Sequence, residues 1–317
     1  MRLIDRFTSR RPRSLRWTIV TSAPKGEAGQ QWGDTWFARD LADALRRAGQ
    51  EVKVVSRAGA DPARRVDDDV VLVLRGLRPV TPPVPRNSVW LLWVISHPES
   101  VTEQEAAGYD AVFAASTSWQ VPGGVSGTPL LQATAPARFH PAAAPPDTGA
   151  PVLFVGSTRG EYRPAVRAAL RSVRADEVSV YGVGWQEYLP TDRIAGEFVP
   201  NAELPAMYAA AGVVLNDHHR DMAMSGFLSN RLFDAVASGV RVLSDRAVGL
   251  EETFGSAVVV FGDEDELVRL LARPVEEVFA SRADRLAHAA RIAREHSFDA
   301  RASILIERAQ RLRKGSS

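Results

Sequence analysis

Two stretches of this chain open the same rhythm, and that repetition limits the fold more than any other feature. Arg16-Trp17-Thr18-Ile19-Val20 reads as a short apolar strand. A glycine-rich loop follows, then a helical pattern over 34–48 with Phe37, Leu41, Ala44 and Leu45 on one face, ended by Gly49. Residues 51–56 return as a second strand. Short apolar strands alternating with helices predict a parallel sheet of βαβ units. Strands at 70–74, 89–95 and 111–115 continue it, with a short helix near 102–108. A proline- and alanine-rich linker at 141–149 then interrupts the pattern. From 151 the rhythm restarts, with strands at 151–155, 178–181, 193–198, 213–216, 240–244 and 257–261. Helices are expected at 164–173 and 204–211, and two long ones at 263–294 and 298–313. The expected class is α/β: two doubly wound, Rossmann-like domains facing a central cleft at the C-terminal ends of their strands.

Composition narrows the partners. The length of 317 residues suits about two domains, and 45% apolar with 24% charged residues is ordinary for a globular protein. Net charge is +1, so no global basic field points to nucleic acid. The absence of cysteine excludes disulfides, thiolate zinc sites and a cysteine nucleophile. No run approaches the roughly 18 apolar residues of a membrane span. The opening residues carry Arg2, Arg6, Arg10, Arg11, Arg13 and Arg16 without an apolar signal core, so a cytoplasmic location is expected. This tail (1–15) reads as solvated chain, or as a weak peripheral membrane contact aided by Leu3, Ile4 and Phe7.

The motif with most chemistry runs from Gly226 to Gly239. After the loop Gly226-Phe227-Leu228-Ser229, a helix places Leu228, Leu232, Phe233 and Val236 on one side and Asn230, Arg231, Asp234 and Ser238 on the other. An amide, a guanidinium and a carboxylate thus converge near a helix start, where free N–H groups and the macrodipole favour an anion. Arginine forks match phosphate oxygens, and a carboxylate accepts from ribose hydroxyls. The combination suits a nucleotide diphosphate.

Pro200-Asn201-Ala202-Glu203-Leu204-Pro205 with the helix after it, then Val213-Val214-Leu215-Asn216, the 226–239 motif and Ser244-Asp245, resembles the donor-binding domain of GT-B glycosyltransferases. The nearest likeness is to group 1 and CgeB-like (spore-maturation) members. Trp90-Leu91-Leu92-Trp93-Val94-Ile95-Ser96-His97-Pro98 and 109–116 look like the same group's N-terminal domain. The likeness spans most of 16–310 and is strongest over 152–255. It implies an acceptor-side domain at 16–145 and a donor domain at 151–296. It also implies a terminal helix (297–317) crossing back to the first domain, and transfer of a hexose-type sugar without a metal or other cofactor. Many group 1 retaining enzymes carry two glutamates eight positions apart around this helix. Here the second position matches Asp234 and the first falls on Gly226, which leaves retaining stereochemistry open.

On this resemblance Gly156, Ser157, Arg159, Arg163, Tyr181, Val199, Asn216 and the 226–234 motif (Gly226, Phe227, Leu228, Ser229, Asn230, Asp234) are candidate donor-binding residues. Arg159 and Arg163 would neutralise the diphosphate, although a strand-to-helix turn with solvated arginines reads the same way. Tyr181 is a base wall or a core tyrosine. Candidate catalytic residues are Arg231, His218 at a strand's C-terminal end, and His97. A histidine at that last place could serve as a general base or pack as a turn residue before proline. Adjacent His218 and His219 cannot both face one ligand, so no metal site is expected. Lys25 and Gly33 mark a loop expected to close over the substrates, Asp34 reads as an N-cap, and Trp32 as a surface that could stack on a sugar. The implied partners are a nucleotide sugar and an acceptor saccharide, glycan or small aglycone. A nucleotide-sugar epimerase and a non-catalytic nucleotide-sugar-binding protein are the alternatives on the same fold.

Overall fold

The computed structural model describes residues 14–57, 68–142 and 151–315. The basic tail, its expected lipid contact and most of the linker lie outside these. In the first lobe β1 (Arg16–Val20), α1 (Glu27–Gln30), α2 (Gly33–Arg47), β2 (Glu51–Val55), β3 (Val70–Arg75), β4 (Val89–Val94), α3 (Glu103–Ala107), β5 (Ala111–Ala114) and β6 (Gly127–Pro129) form a six-stranded sheet ordered β2-β1-β3-β4-β5-β6. Every pairing is parallel. Strands β3 and β4 are buried at every position, as a sheet covered on both faces requires.

The second lobe holds β7 (Val152–Val155), α4 (Pro164–Ala169), β8 (Val178–Tyr181), β9 (Ile194–Gly196), α5 (Leu204–Ala210), β10 (Val213–Asn216), α6 (Arg220–Met224), α7 (Asn230–Ala237), β11 (Arg241–Asp245), α8 (Leu250–Phe254) and β12 (Val259–Phe261). Its parallel sheet runs β12-β11-β10-β7-β8-β9. Chain order therefore reverses between β7 and β10, and in the first sheet between β1 and β3. Connections leave such a point in opposite directions, opening a crevice beyond the strand ends.

Two expectations fail locally. The single helix expected over 263–294 is three: α9 (Glu264–Ala272), α10 (Val275–Val278) and α11 (Arg282–Glu295). Pro274 forces Arg273 into extended backbone, and Ser281 caps α11 by accepting from the Asp284 N–H. Strand β6 is exposed throughout, so it lacks the apolar run that marks the others.

The last helix, α12 (Phe298–Gly315), packs in the first lobe. Phe298, Ala302, Leu305, Ile306 and Ala309 share one apolar cluster with Phe37, Ala38 and Leu41 of α2. Phe298 meets Phe37 edge-on at 4.8 Å. Arg301 locks the crossing by donating to the carbonyls of Leu131 (2.7 Å) and Gln132 (3.0 Å).

Candidate functional site

The switch point of the second lobe opens onto a cavity of about 330 Å³ lined by both lobes. The first lobe contributes Gly33, Asp34, Trp36, Asp40, Ser96 and Gln132. The second contributes Gly156, Ser157, Arg159, Arg163, Tyr208, His218, His219, Ser229, Asn230, Arg231 and Asp234. Most expected donor residues therefore meet in one place, although they come from the ends of β7 and β10 and the start of α7.

Arg231 lies flat over the Phe154 ring at 4.7 Å. It donates to Asn216 Oδ1 at 2.9 Å and to the Val155 carbonyl. Gly156 is glycine because a Cβ there would lie 2.6 Å from the Arg231 guanidinium. Its bare backbone makes room for this arginine, a different role from the donor approach expected of it. Asn230 Nδ2 donates to Asp234 Oδ2 at 2.8 Å, and Thr134 Oγ1 donates to Asp234 Oδ1 at 2.8 Å. Asn230 Oδ1 is buried with no partner. Burial pushes the Asp234 carboxyl well above the ordinary range, against the opposing pull of its Thr134 hydrogen bond.

The two arginines of the β7–α4 turn divide. Arg163 is buried and paired to the Asp217 carboxylate, and donates to the Asp217 carbonyl at 2.8 Å. Asp217 Oδ2 also accepts from the Ala165 N–H at 3.2 Å. Arg163 thus ties the loops after β7 and β10 together across the switch point, a corrected role for a residue expected on the diphosphate. Arg159 sits at φ 52 in the turn, and its side chain forms no hydrogen bond or ion pair among the described residues. Its side chain is exposed to the cleft, and partial desolvation there, with Arg163 nearby, lowers its pKa.

The histidines are corrected too. His218 Nε2 accepts from the Ser229 N–H at 3.1 Å, so its proton sits on Nδ1, which faces Asp245 Oδ1 at 2.6 Å. Both ring nitrogens are occupied, and the residue holds the start of α7 while lining the cavity. His97 adopts a left-handed backbone (φ 53) before Pro98, and its Nδ1 lies 3.3 Å from Glu99 Oε1. That kink leaves Ile95 and Ser96, not His97, on the cavity wall.

Other expected ligands lie elsewhere. Phe227 is fully buried in the first lobe's cluster, edge-on to Trp119 at 5.7 Å, while Leu228 packs in the second lobe's core. Gly226 touches the first lobe, where a Cβ would come within 2.7 Å of Ser118 Oγ. Ser116 Oγ donates to the adjacent Ser225 carbonyl at 2.6 Å. This segment pins the lobes instead of lining the cavity. Tyr181 packs beside the second core, Val199 is buried, and Lys25 lines a separate hollow.

Asp34 is the residue the sequence undervalued. Trp32, not Asp34, is the N-cap of α2. Asp34 falls in the first turn and lines the cavity. Burial raises its pKa, partly offset by the Arg159 and His97 charges. Arg138 was also missed: it donates to Asp40 at 2.7 Å and to the Asn201 carbonyl at 2.9 Å, clasping the lobes along one wall. Neither stands in a motif, so only contact across the cleft reveals them. Among the described residues no three His, Asp or Glu side chains converge as metal ligands, and no helix is long and apolar enough to cross a membrane.

Residues 160–307 match the family of glycosyl transferase-like proteins. No curated protein matches the chain. Among solved structures it resembles a glycosyltransferase involved in avilamycin A biosynthesis, with 19% identity over 95% of this chain and 98% of that one, and a TM-score of 0.63. It also resembles the Anabaena protein HepE in complex with UDP-glucose (10% identity, 92% and 99% covered, TM-score 0.61). Sucrose-phosphate synthase from Thermosynechococcus elongatus is similar as well (13%, 96% and 100%, 0.61). Identities this low speak for the fold, which is GT-B. The glycosyl transferase-like match over 160–307, carried on that fold, supports a glycosyltransferase.

Proposed function

We propose that the cleft binds a nucleotide-diphosphate sugar with its diphosphate between Arg159, Arg231 and the start of α7, and transfers the sugar to an acceptor hydroxyl held by the first lobe. The observation that carries this is the unpartnered Arg159 guanidinium facing the cavity that Arg231 and Asn230 at the start of α7 also line. These groups suit a ligand with phosphate oxygens and hydroxyl donors. The Anabaena structure solved with UDP-glucose supports a uridine nucleotide as the first donor to test.

In this reading Asp34 accepts the acceptor's hydroxyl proton as that oxygen bonds to the anomeric carbon. The bond from that carbon to the diphosphate oxygen breaks with its electron pair going to that oxygen, and the added negative charge on the leaving nucleoside diphosphate is neutralised by Arg159 and Arg231. Charge neutralisation by guanidinium groups replaces a metal, and Asp234 with Asn230 anchors the ribose. A carboxylate on the acceptor lobe, with glycine at 226, favours direct displacement and inversion. We place the reaction in the cytoplasm, where nucleotide sugars are made, and the chain near the CgeB-like members, on the motifs quoted above.

The test is nucleotide diphosphate release from a panel of nucleotide sugars, with and without acceptors, in the presence of a chelator. Acceptor-dependent release indifferent to the chelator is expected. Donor isomerisation without acceptor would identify an epimerase, and binding without turnover a non-catalytic protein. Failure to bind any nucleotide sugar would end the proposal.

A further inference from the structure

Two more hollows open at the C-terminal edge of the first sheet, of about 450 and 460 Å³. Thr21, the residue that leaves β1, lines both. Backbone bonds extend the ladder past the strands here, from the Thr21 N–H to the Val55 carbonyl (3.0 Å) and from the Arg57 N–H to the Ala23 carbonyl (3.2 Å). The walls are therefore firm. One hollow is lined by Lys25 and Arg39, the other by Arg57 and Arg78. No carboxylate lines either among the described residues, and none of the four cations has a hydrogen-bonded or ionic partner there. Elsewhere on the surface, arginines such as Arg46, Arg47 and Arg167 are paired with carboxylates. In a chain of net charge +1, four cations around one strand end are a local excess.

Both hollows adjoin the cleft. Arg39 stacks over Trp36 at 4.7 Å, and Trp36 lines the cavity. Ser22, in the wall of the second hollow, and Asp34, in the wall of the cleft, flank Gly76. A Cβ at Gly76 would lie 2.8 Å from Ser22 Oγ and 2.9 Å from Asp34 Oδ2.

We infer that the acceptor carries a phosphate group, which a cation pair of these two hollows binds so that a neighbouring hydroxyl reaches Asp34. This rests on the first lobe being the acceptor side. Two unpaired cations in one hollow favour a dianion over a lone carboxylate, and guanidinium forks match phosphate oxygens. The hollows are large enough for a monosaccharide phosphate.

The test is isothermal titration of the full chain with glucose, glucose 6-phosphate and inorganic phosphate, without donor. Glucose 6-phosphate is expected to bind at least 10-fold tighter than glucose, to weaken as salt rises, and to be displaced by inorganic phosphate. The Lys25→Ala/Arg57→Ala/Arg78→Ala variant, checked for native circular dichroism, should lose that preference. Should the triple variant not fold, the single Arg78→Ala change on the exposed rim is expected to reduce the preference at least threefold. Equal binding of glucose and glucose 6-phosphate overturns the inference, as does a preference the variants retain. Capture by phosphatidic acid vesicles that glucose 6-phosphate does not compete would also overturn it, marking a membrane surface. A parallel titration with UDP reports on the donor reading alone, so the two can fail separately.

Discussion

Arg159 and Arg163 stand four residues apart in one turn, and the structure predicts opposite consequences for removing them. Arg163→Ala leaves the buried Asp217 carboxylate without its counter-ion, a change that costs about 3–5 kcal/mol. With about 2–4 °C per kcal/mol for a lobe of this size, melting should fall by roughly 6–20 °C. Arg159→Ala breaks no protein contact, and alanine inherits the same positive φ, so backbone strain is unchanged. Its stability should stay within about 0.5 kcal/mol of the parent. Its effect falls on the ligand: a charged donor aimed at a developing anion in a sheltered site is worth about 2.7–4 kcal/mol, or roughly 10²–10³-fold in turnover. Thermal melting with and without UDP, together with nucleotide release kinetics, separates these outcomes. At a UDP concentration about 100 times its Kd the parent should gain about 2.7 kcal/mol. Arg159→Ala should lose most of that gain at the same concentration. A large melting loss in Arg159→Ala, or turnover within threefold of the parent, would refute the division of labour between the two arginines.

Asp34→Asn should lower acceptor-dependent turnover at least about 100-fold while UDP still binds, and the residual rate should lack the acid limb of the pH–rate profile, which in the parent lies above the ordinary aspartate value of 3.8. The sign for stability follows from the raised pKa: the carboxyl stabilises the fold when protonated in acid, and that contribution is lost as pH rises through the folded value. The Asp34→Asn variant should therefore melt no lower than the parent at pH 7; a clear drop there argues against a desolvated carboxylate. Phe227→Ala should cost about 3–5 kcal/mol, measured by denaturant melting, because its ring fills the other lobe's core. His218→Ala should lower activity without shifting the pH profile, since both ring nitrogens are already committed; a displaced limb would restore it as a proton carrier.

The sheets were legible because strands buried on both faces, such as 70–75 and 89–94, leave continuous apolar runs. Edge strand β6 and the short helices α6 and α8 leave none. The start of α7 was legible as a polar cluster, but what each member touches was not. Arg163 and Arg159 look alike in sequence, and only Asp217, more than 50 positions away, tells the tie from the free cation. Phe227 and His218 failed in the same way, because their partners belong to the other lobe or to a neighbouring strand. Asp34 hid behind a plausible cap, and its raised pKa comes from the enclosure of two domains that no local window contains.

The ring of Phe227, seated in foreign territory two positions ahead of Ser229, acts as an axle. A swing that kept this ring seated would have a short lever arm at the first turn of α7 and travel widest at the far rim. Substrates would enter from that rim and meet a phosphate cradle that has scarcely moved.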